Sequence, residues 1–312
     1  MNINKGVRIF LSLIILVPLL IQVSYAINIQ QIPDYILVAV TNFTDVEKSD
    51  CNATVFQYGG GTQPGLDNYI NNRIIEGNIG FYLKNVSFNT YVKDVLPNEW
   101  LASWLDESLK SGAMVAKLAA WNTINSYPNK KWVTTDADVV DFTCDQTYKN
   151  NSNNQKTNQI IDNTWYYYVL YNGSGTDQIL SAQYIDGDYS NKKYGGIKMA
   201  QNGSQYFAQQ GKPYEWILPY YYDNIALVKN INLGDSVSAN IAGNSTWKYY
   251  FTSDGKTNGF KVDLSESPDK QLTILNPDGS INISDVSFSY VKSLTVNKPQ
   301  AGNSFTKIMQ LF

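Results

Sequence analysis

Residues 104–126 read WLDESLKSGAMVAKLAAWNTINS. Leu105, Leu109, Ala113, Ala116, Ala120 and Ile124 recur at helical spacing on one face. Ser103 and Asp106 have the form of a capping box, Asp106 and Glu107 suit the positive end of a helix dipole, and Pro128 stops the run. Ser111, Gly112, Ala113, Ala116, Ala119 and Ala120 are small, so other elements can approach this helix closely. The reading is a central helix buried in a core.

Working outward, residues 27–90 read as strand-rich. Tyr35 to Val40 is a short apolar run, Gly59-Gly60-Gly61 marks a turn, and Asn78 to Leu83 reads as another strand; Leu66 to Ile75 is too short to assign. On the far side, residues 149–157 are polar and read as an exposed loop. Trp165 to Tyr171 and Gln178 to Tyr184 flank Asn172-Gly173-Ser174-Gly175 as a hairpin, and Tyr214 to Tyr222 reads as a short helix ending near Pro219. From Ile225 onward, runs at 247–251, 259–264, 271–275 and 286–291 alternate with polar turns. The expected fold is α+β: a mixed α/β domain over residues 27–224 with a central buried helix, followed by an all-β sandwich over 225–312.

The N-terminus reads as an export signal. Lys5 and Arg8 precede an apolar run from Phe10 to Val23, and Ser24-Tyr25-Ala26 presents small residues for cleavage after Ala26. The run is about 14 residues, short of the ~20 needed to span a bilayer, with a retained anchor as the alternative. Residues 1–26 are thus a signal peptide, and the rest is expected to be secreted or in the cell envelope. Membrane contact is expected only through an uncleaved signal.

Net charge is −3 with no basic stripe, which argues against a nucleic-acid partner. The 23 tyrosines suit carbohydrate contact, and equally suit an AT-rich genome. Asn-x-Ser/Thr triplets at Asn42, Asn52, Asn85, Asn150, Asn172, Asn202, Asn244 and Asn282 matter only in a host that glycosylates exported proteins. The chain has no histidine. That excludes Ser-His-Asp and Cys-His nucleophiles and His-based zinc sites; acid–base chemistry falls to carboxylates, Lys, Tyr or Cys. Cys51 and Cys144 read first as a disulfide in an exported chain, with free thiols next and a metal site last. The bridge would close a loop of roughly 90 residues and contribute about 4 kcal/mol in the chain-entropy model.

Six blocks, in order, resemble the SpoIID/LytB (stage II sporulation protein D) family over about residues 80–222. They are Tyr91 to Trp100 (YVKDVLPNEW), Ser108 to Lys117 (SLKSGAMVAK), Phe142 to Tyr148 (FTCDQTY), Asp162-Asn163-Thr164-Trp165 with Leu170-Tyr171-Asn172-Gly173, Gly196 to Gly203 (GIKMAQNG) extending to Gly211, and Tyr214 to Tyr222 (YEWILPYYY). The resemblance implies a peptidoglycan-active protein with sporulation as one setting. It implies that Glu99, in the Pro-x-Glu motif, is the catalytic acid/base of a lytic transglycosylase. Leu96, Trp100 and Trp104 would surround it with apolar surface. One carboxyl suffices, because the sugar's own 6-hydroxyl is the internal nucleophile.

The resemblance further implies substrate-binding roles for Lys117, Gln146, Tyr148, Lys198 and Gln201. The residues themselves leave other readings open: Lys117 as a solvated helix charge, Tyr148 as core. Departures are visible. Lys117 stands where the family usually has Arg, losing a bidentate fork; Ala200 replaces Ser; and Tyr194-Gly195-Gly196-Ile197 lacks the family's His. Some members hold a metal through Cys and His near Gln146; with no His here, no metal and no cofactor are expected. The expected partners are peptidoglycan glycan strands and, as the alternative, a cell-wall amidase that a non-catalytic form would enhance. A third reading is an inactive surface protein.

Overall fold

A computed structural model describes residues 32–171, 178–187 and 196–231, and beyond them the backbone of six strands between Thr246 and Leu311. The signal segment, the Asn172–Gly175 turn and Tyr194-Gly195 lie outside the described residues.

The chain enters on β1 (Tyr35–Val40), the middle strand of a three-stranded sheet. β2 (Tyr82–Ser87) pairs antiparallel on one side and β3 (Val139–Val140) parallel on the other. Alternation along β1 divides its side chains between two cores. Ile36 and Val38 face the main core; Ala39 faces a smaller one with Phe43, Leu66, Ile70, Phe81, Trp132 and Phe142.

Between β1 and β2 the expectation of strands is overturned: residues 45–75 form three helices, α1 (Asp45–Ser49), α2 (Cys51–Gly59) and α3 (Gln63–Ile75). Their signals are local. Thr44 and Glu47 close a capping box, Asp50 accepts from Ala53 N–H at 3.0 Å, and Gly60 ends α2 at φ 59°. Thr62 then caps α3, with proline in its first turn. In α3 only Leu66, Asp67 and Ile70 are buried, so no wide apolar stripe advertises the helix. β2 begins at Tyr82 rather than at Asn78.

Helix α4 (Phe88–Glu99) starts at Ser87, whose hydroxyl accepts from Thr90 N–H. It buries Phe88, Tyr91, Val92, Val95 and Leu96 along one stripe. Pro97 removes a donor from the last turn, and the helix ends two residues later at Glu99. Helix α5 (Asp106–Ser126) is the expected central helix, with twelve residues between Ser108 and Trp121 buried. Its start differs from the reading: Leu105 is the N-cap without a side-chain cap, and no Ser103–Asp106 capping box forms. Leu105 N–H is instead satisfied by Gln205 Oε1 at 2.9 Å. Gly112 lets the Trp100 ring lie against the helix; a Cβ there would sit 2.5 Å from Trp100 Cδ2.

Helix α6 (Gln155–Thr164) leads into β4 (Tyr167–Tyr171), which pairs antiparallel with the short β5 (Gln178–Ile179). The expected hairpin therefore forms only in part. Its return strand breaks after Ile179, and the next piece, β6 (Gln183–Ile185), pairs in parallel with β7 (Lys198–Ala200). β7 runs directly into α7 (Gln201–Gln209), followed by α8 (Tyr214–Tyr221), which carries Pro219 inside it. α5 packs on α4, α6, α7, α8 and β4, so the α+β reading stands for the described residues.

β8 (Ile225–Ile231) pairs antiparallel with β4 and parallel with β9 (Thr246–Ser253). Hydrogen bonds thus cross position 225. Farther on come β10 (Gly259–Asp263), β11 (Gln271–Leu275), β12 (Ile281–Ser287), β13 (Ser293–Asn297) and β14 (Phe305–Leu311). β12-β11-β14-β9-β8-β4-β5 form one seven-stranded sheet, and β10 pairs with β13.

The cysteines form the expected disulfide, Cys51–Cys144, across 93 residues. It ties the start of α2 to the loop that follows β3. Two outcomes follow. Gly112→Ala must displace Trp100 and is expected to lower unfolding free energy by about 1–3 kcal/mol in urea titrations. Reduction of Cys51–Cys144 is expected to lower stability by about 4 kcal/mol, read as a drop in melting temperature with and without reductant.

Candidate active site

Glu99 is the last residue of α4 and half-buried, with Trp100 and Leu96 fully buried beside it. Its carboxylate is held from two sides. Oε1 accepts Thr147 N–H at 2.6 Å, and Oε2 accepts Gln201 Nε2–H at 3.1 Å. The same Gln201 amide donates to the Glu99 carbonyl at 2.8 Å. Tyr184 lines the same cleft as Glu99. Burial pushes that phenol well above its ordinary range, and the charge of Glu99 pushes it further.

Three separate segments converge here because each is fixed locally. Gln201 opens α7 directly behind β7. Tyr184 lies on β6, paired with Met199 of β7. Thr147 ends a loop anchored several times over. Asp141 pairs with Lys48 and accepts from Thr41, and Thr143 N–H donates to Lys48 O at 3.1 Å. Asp145 accepts from Trp132 Nε1 at 2.8 Å and Val140 N–H at 2.7 Å and pairs with Lys131, and Cys144 carries the disulfide.

Gln146 belongs to the same assembly. It is buried; its Oε1 accepts from Tyr91 Oη at 3.2 Å, and its Nε2 donates to Ala116 O at 3.1 Å and Tyr184 Oη at 3.2 Å. The expected substrate contact is thus an amide whose polar atoms are taken up by Tyr91, Ala116 and Tyr184.

Glu99 opens into a cleft of about 790 Å³. Its walls are the C-terminal half of α5, the loop 143–146, the segment 181–186, Lys198 and Gln201. The lining is polar, with the amides of Asn122, Gln183 and Gln201, the hydroxyls of Thr123 and Ser181, and the exposed ring of Tyr127. Lys198 is half-buried in the wall and makes no ion pair or hydrogen bond among the described residues. Asp186 is an exposed second carboxylate in the wall, bonded to Asn202 Nδ2 at 2.6 Å.

Two expected site residues lie elsewhere. Lys117 is not in the cleft wall. Its ammonium is buried and donates to the carbonyls of Thr164 at 3.1 Å, Trp165 at 2.7 Å and Tyr167. Three N–H donors thus meet three acceptors at the end of α6, where helix carbonyls lack partners. Burial pushes the Lys117 ammonium down to about 7, and the carbonyls oppose that loss. The fold uses Lys117 neither in the cleft, where a substrate-binding role would put it, nor as a solvated helix charge. Tyr148 is buried, stacked on Tyr91 with ring centroids 5.4 Å apart, and is a core residue rather than a cleft residue.

The sequence reading missed Tyr184, Asp186 and the Thr147 backbone donor. No motif marks Tyr184 or Asp186, and Thr147 lies in the block FTCDQTY but acts through its backbone, which side-chain pattern does not reveal. Tyr184 fell within an expected continuous strand, and only the break after Ile179 carries it to Glu99.

Residues 81–171 match the family described as Stage II sporulation protein, SpoIID. The match at residues 81–171 is to the family that the ordered blocks resembled. The matched span includes Glu99, Lys117, Gln146 and Tyr148 and ends before Lys198 and Gln201. No curated protein matches the chain.

Lys117→Met removes the donor shared by the carbonyls of Thr164, Trp165 and Tyr167 at the α6–β4 junction. It is expected to cost about 3 kcal/mol in denaturant unfolding, while a fold-competent preparation at low temperature keeps its cleft and its ligand affinity.

Proposed function

From the premise of the SpoIID match, we propose that this protein is exported and acts on the cell wall, cleaving peptidoglycan glycan strands as a lytic transglycosylase with Glu99 as its acid and base. The observation that carries the reading is the placement of Glu99: a carboxyl fixed by Thr147 and Gln201, in the wall of an open, polar cleft.

The chemistry closes on one carboxyl. A protonated Glu99 gives its proton to the glycosidic oxygen as the bond to the anomeric carbon breaks, with positive charge developing on the ring. The resulting carboxylate then takes the proton of the same sugar's 6-hydroxyl, whose oxygen bonds to the anomeric carbon. The products are a strand with a free hydroxyl and a 1,6-anhydro end; no water is consumed and Glu99 regains its proton. Thr147 and Gln201 keep the carboxyl from rotating, which supplies orientation. The exported, envelope-facing location and a wall-positioning role for a C-terminal sandwich over residues 225–312 are part of this proposal.

One observation favours a second reading. Both oxygens of Glu99 already accept hydrogen bonds from the protein, so the carboxylate also serves as a tie among three segments. A protein that used it only so would bind glycan without cutting it and enhance a separate amidase.

Digestion of sacculi and of strands without stem peptides separates the two. The wild type is expected to release anhydro-ended fragments by mass spectrometry, and Glu99→Gln to be slower by roughly 10²–10⁴-fold with its melting transition retained. Absence of anhydro products from folded wild type, together with amidase stimulation that survives Glu99→Gln, would establish the enhancer instead.

A further inference from the structure

The cleft extends well past Glu99. Gln146, which meets Tyr184 beside Glu99, is bonded to Ala116 of α5. The cleft then follows α5 to Tyr127, about 16 Å farther along the helix axis at 1.5 Å per residue. That distance exceeds one pyranose ring, so the far end is a separate place for a ligand to sit.

Tyr127 is unusual in that place. It is 47% exposed although it lines the cleft. Among the described residues neither ring nor hydroxyl has a partner. Its backbone is nevertheless fixed, with N–H donating to Thr123 O at 3.1 Å and the carbonyl accepting Lys130 N–H at 2.9 Å. Pro128 restricts it further. The backbone thus holds a half-exposed aromatic side chain at the end of the cleft. Beside it stand Thr123 and the pair Asn122–Ser181, joined at 3.2 Å. An apolar plate edged by amide and hydroxyl groups matches a pyranose, whose C–H face is apolar and whose rim is hydroxylated.

We propose that Tyr127 is the floor of a distal saccharide subsite, which takes a ring of the same strand several sugars away from the bond at Glu99. This rests on the glycan reading above and adds to it that the cleft measures strand length. Short oligosaccharides engage only the Glu99 end, and longer ones gain the Tyr127 contact.

The test is calorimetric titration of the Glu99→Gln protein with β-1,4-linked N-acetylglucosamine oligomers of increasing length. Affinity is expected to rise with length and then level off. Adding Tyr127→Ala is expected to weaken the long oligomers about tenfold, the scale of one lost aromatic face contact, and to leave the shortest unchanged. Tyr127→Phe keeps the ring and is expected to keep the affinity, as is Tyr166→Ala, an exposed tyrosine outside the cleft wall. Undiminished affinity in Tyr127→Ala at every length, or an equal loss at every length, overturns the subsite while leaving the glycan reading in place. If no oligomer binds any variant that melts cooperatively, both fall together.

Discussion

The contact on which the rest depends is the pair of hydrogen bonds to the Glu99 carboxylate, one from the Thr147 backbone and one from the Gln201 side chain. A backbone N–H can be aimed only by fixing its peptide, and several ties in this part of the molecule do that. The Cys51–Cys144 bridge, the Lys48–Asp141 pair and the three partners of Asp145 all act on the few residues between Asp141 and Thr147. The helices α1 to α3 then have a clear role: they form the abutment against which that loop is pinned.

The other side of Glu99 is set by packing. Helix α5 has small residues where Trp100 and α7 come close. Gly112 admits the Trp100 ring, Trp100 Nε1 donates to Ser204 Oγ at 3.1 Å, and Ser108 and Ser204 meet at 2.8 Å. Ser204 is one turn along α7 from Gln201, so the contact that buries Trp100 also places the Gln201 amide. Lys117 works at a distance in the same scheme. By satisfying the carbonyls that end α6, it fixes the α6–β4 junction against α5 at a cost in buried charge that only a full set of acceptors offsets.

Much of this was legible in the sequence where the signal was local or periodic. The apolar spacing from Leu105 to Ile124 placed α5, the even cysteine pair behind a signal-like N-terminus pointed to the disulfide, and the ordered blocks singled out Glu99 and Gln201. What failed depended on tertiary partners. The start of α5 is set by Gln205, a hundred residues away, so Ser103 and Asp106 misled. Helices α1 to α3 were hidden because their apolar stripe is thin, although Thr44, Glu47, Asp50 and Thr62 carried readable caps. Lys117 in an apolar run gives no sign of its fate, because its acceptors are main-chain carbonyls that leave no trace in side-chain pattern. Tyr184 was out of reach because a broken strand, not a motif, brings it to Glu99.

The most direct test of the account is a crystal structure of the Glu99→Gln protein with a glycan oligomer bound. A strand is expected to lie along α5, with one glycosidic oxygen within hydrogen-bonding distance of the side chain at position 99 while Thr147 and Gln201 keep their places around it. A strand bound elsewhere, or lying in the cleft with no glycosidic oxygen near that side chain, would contradict it.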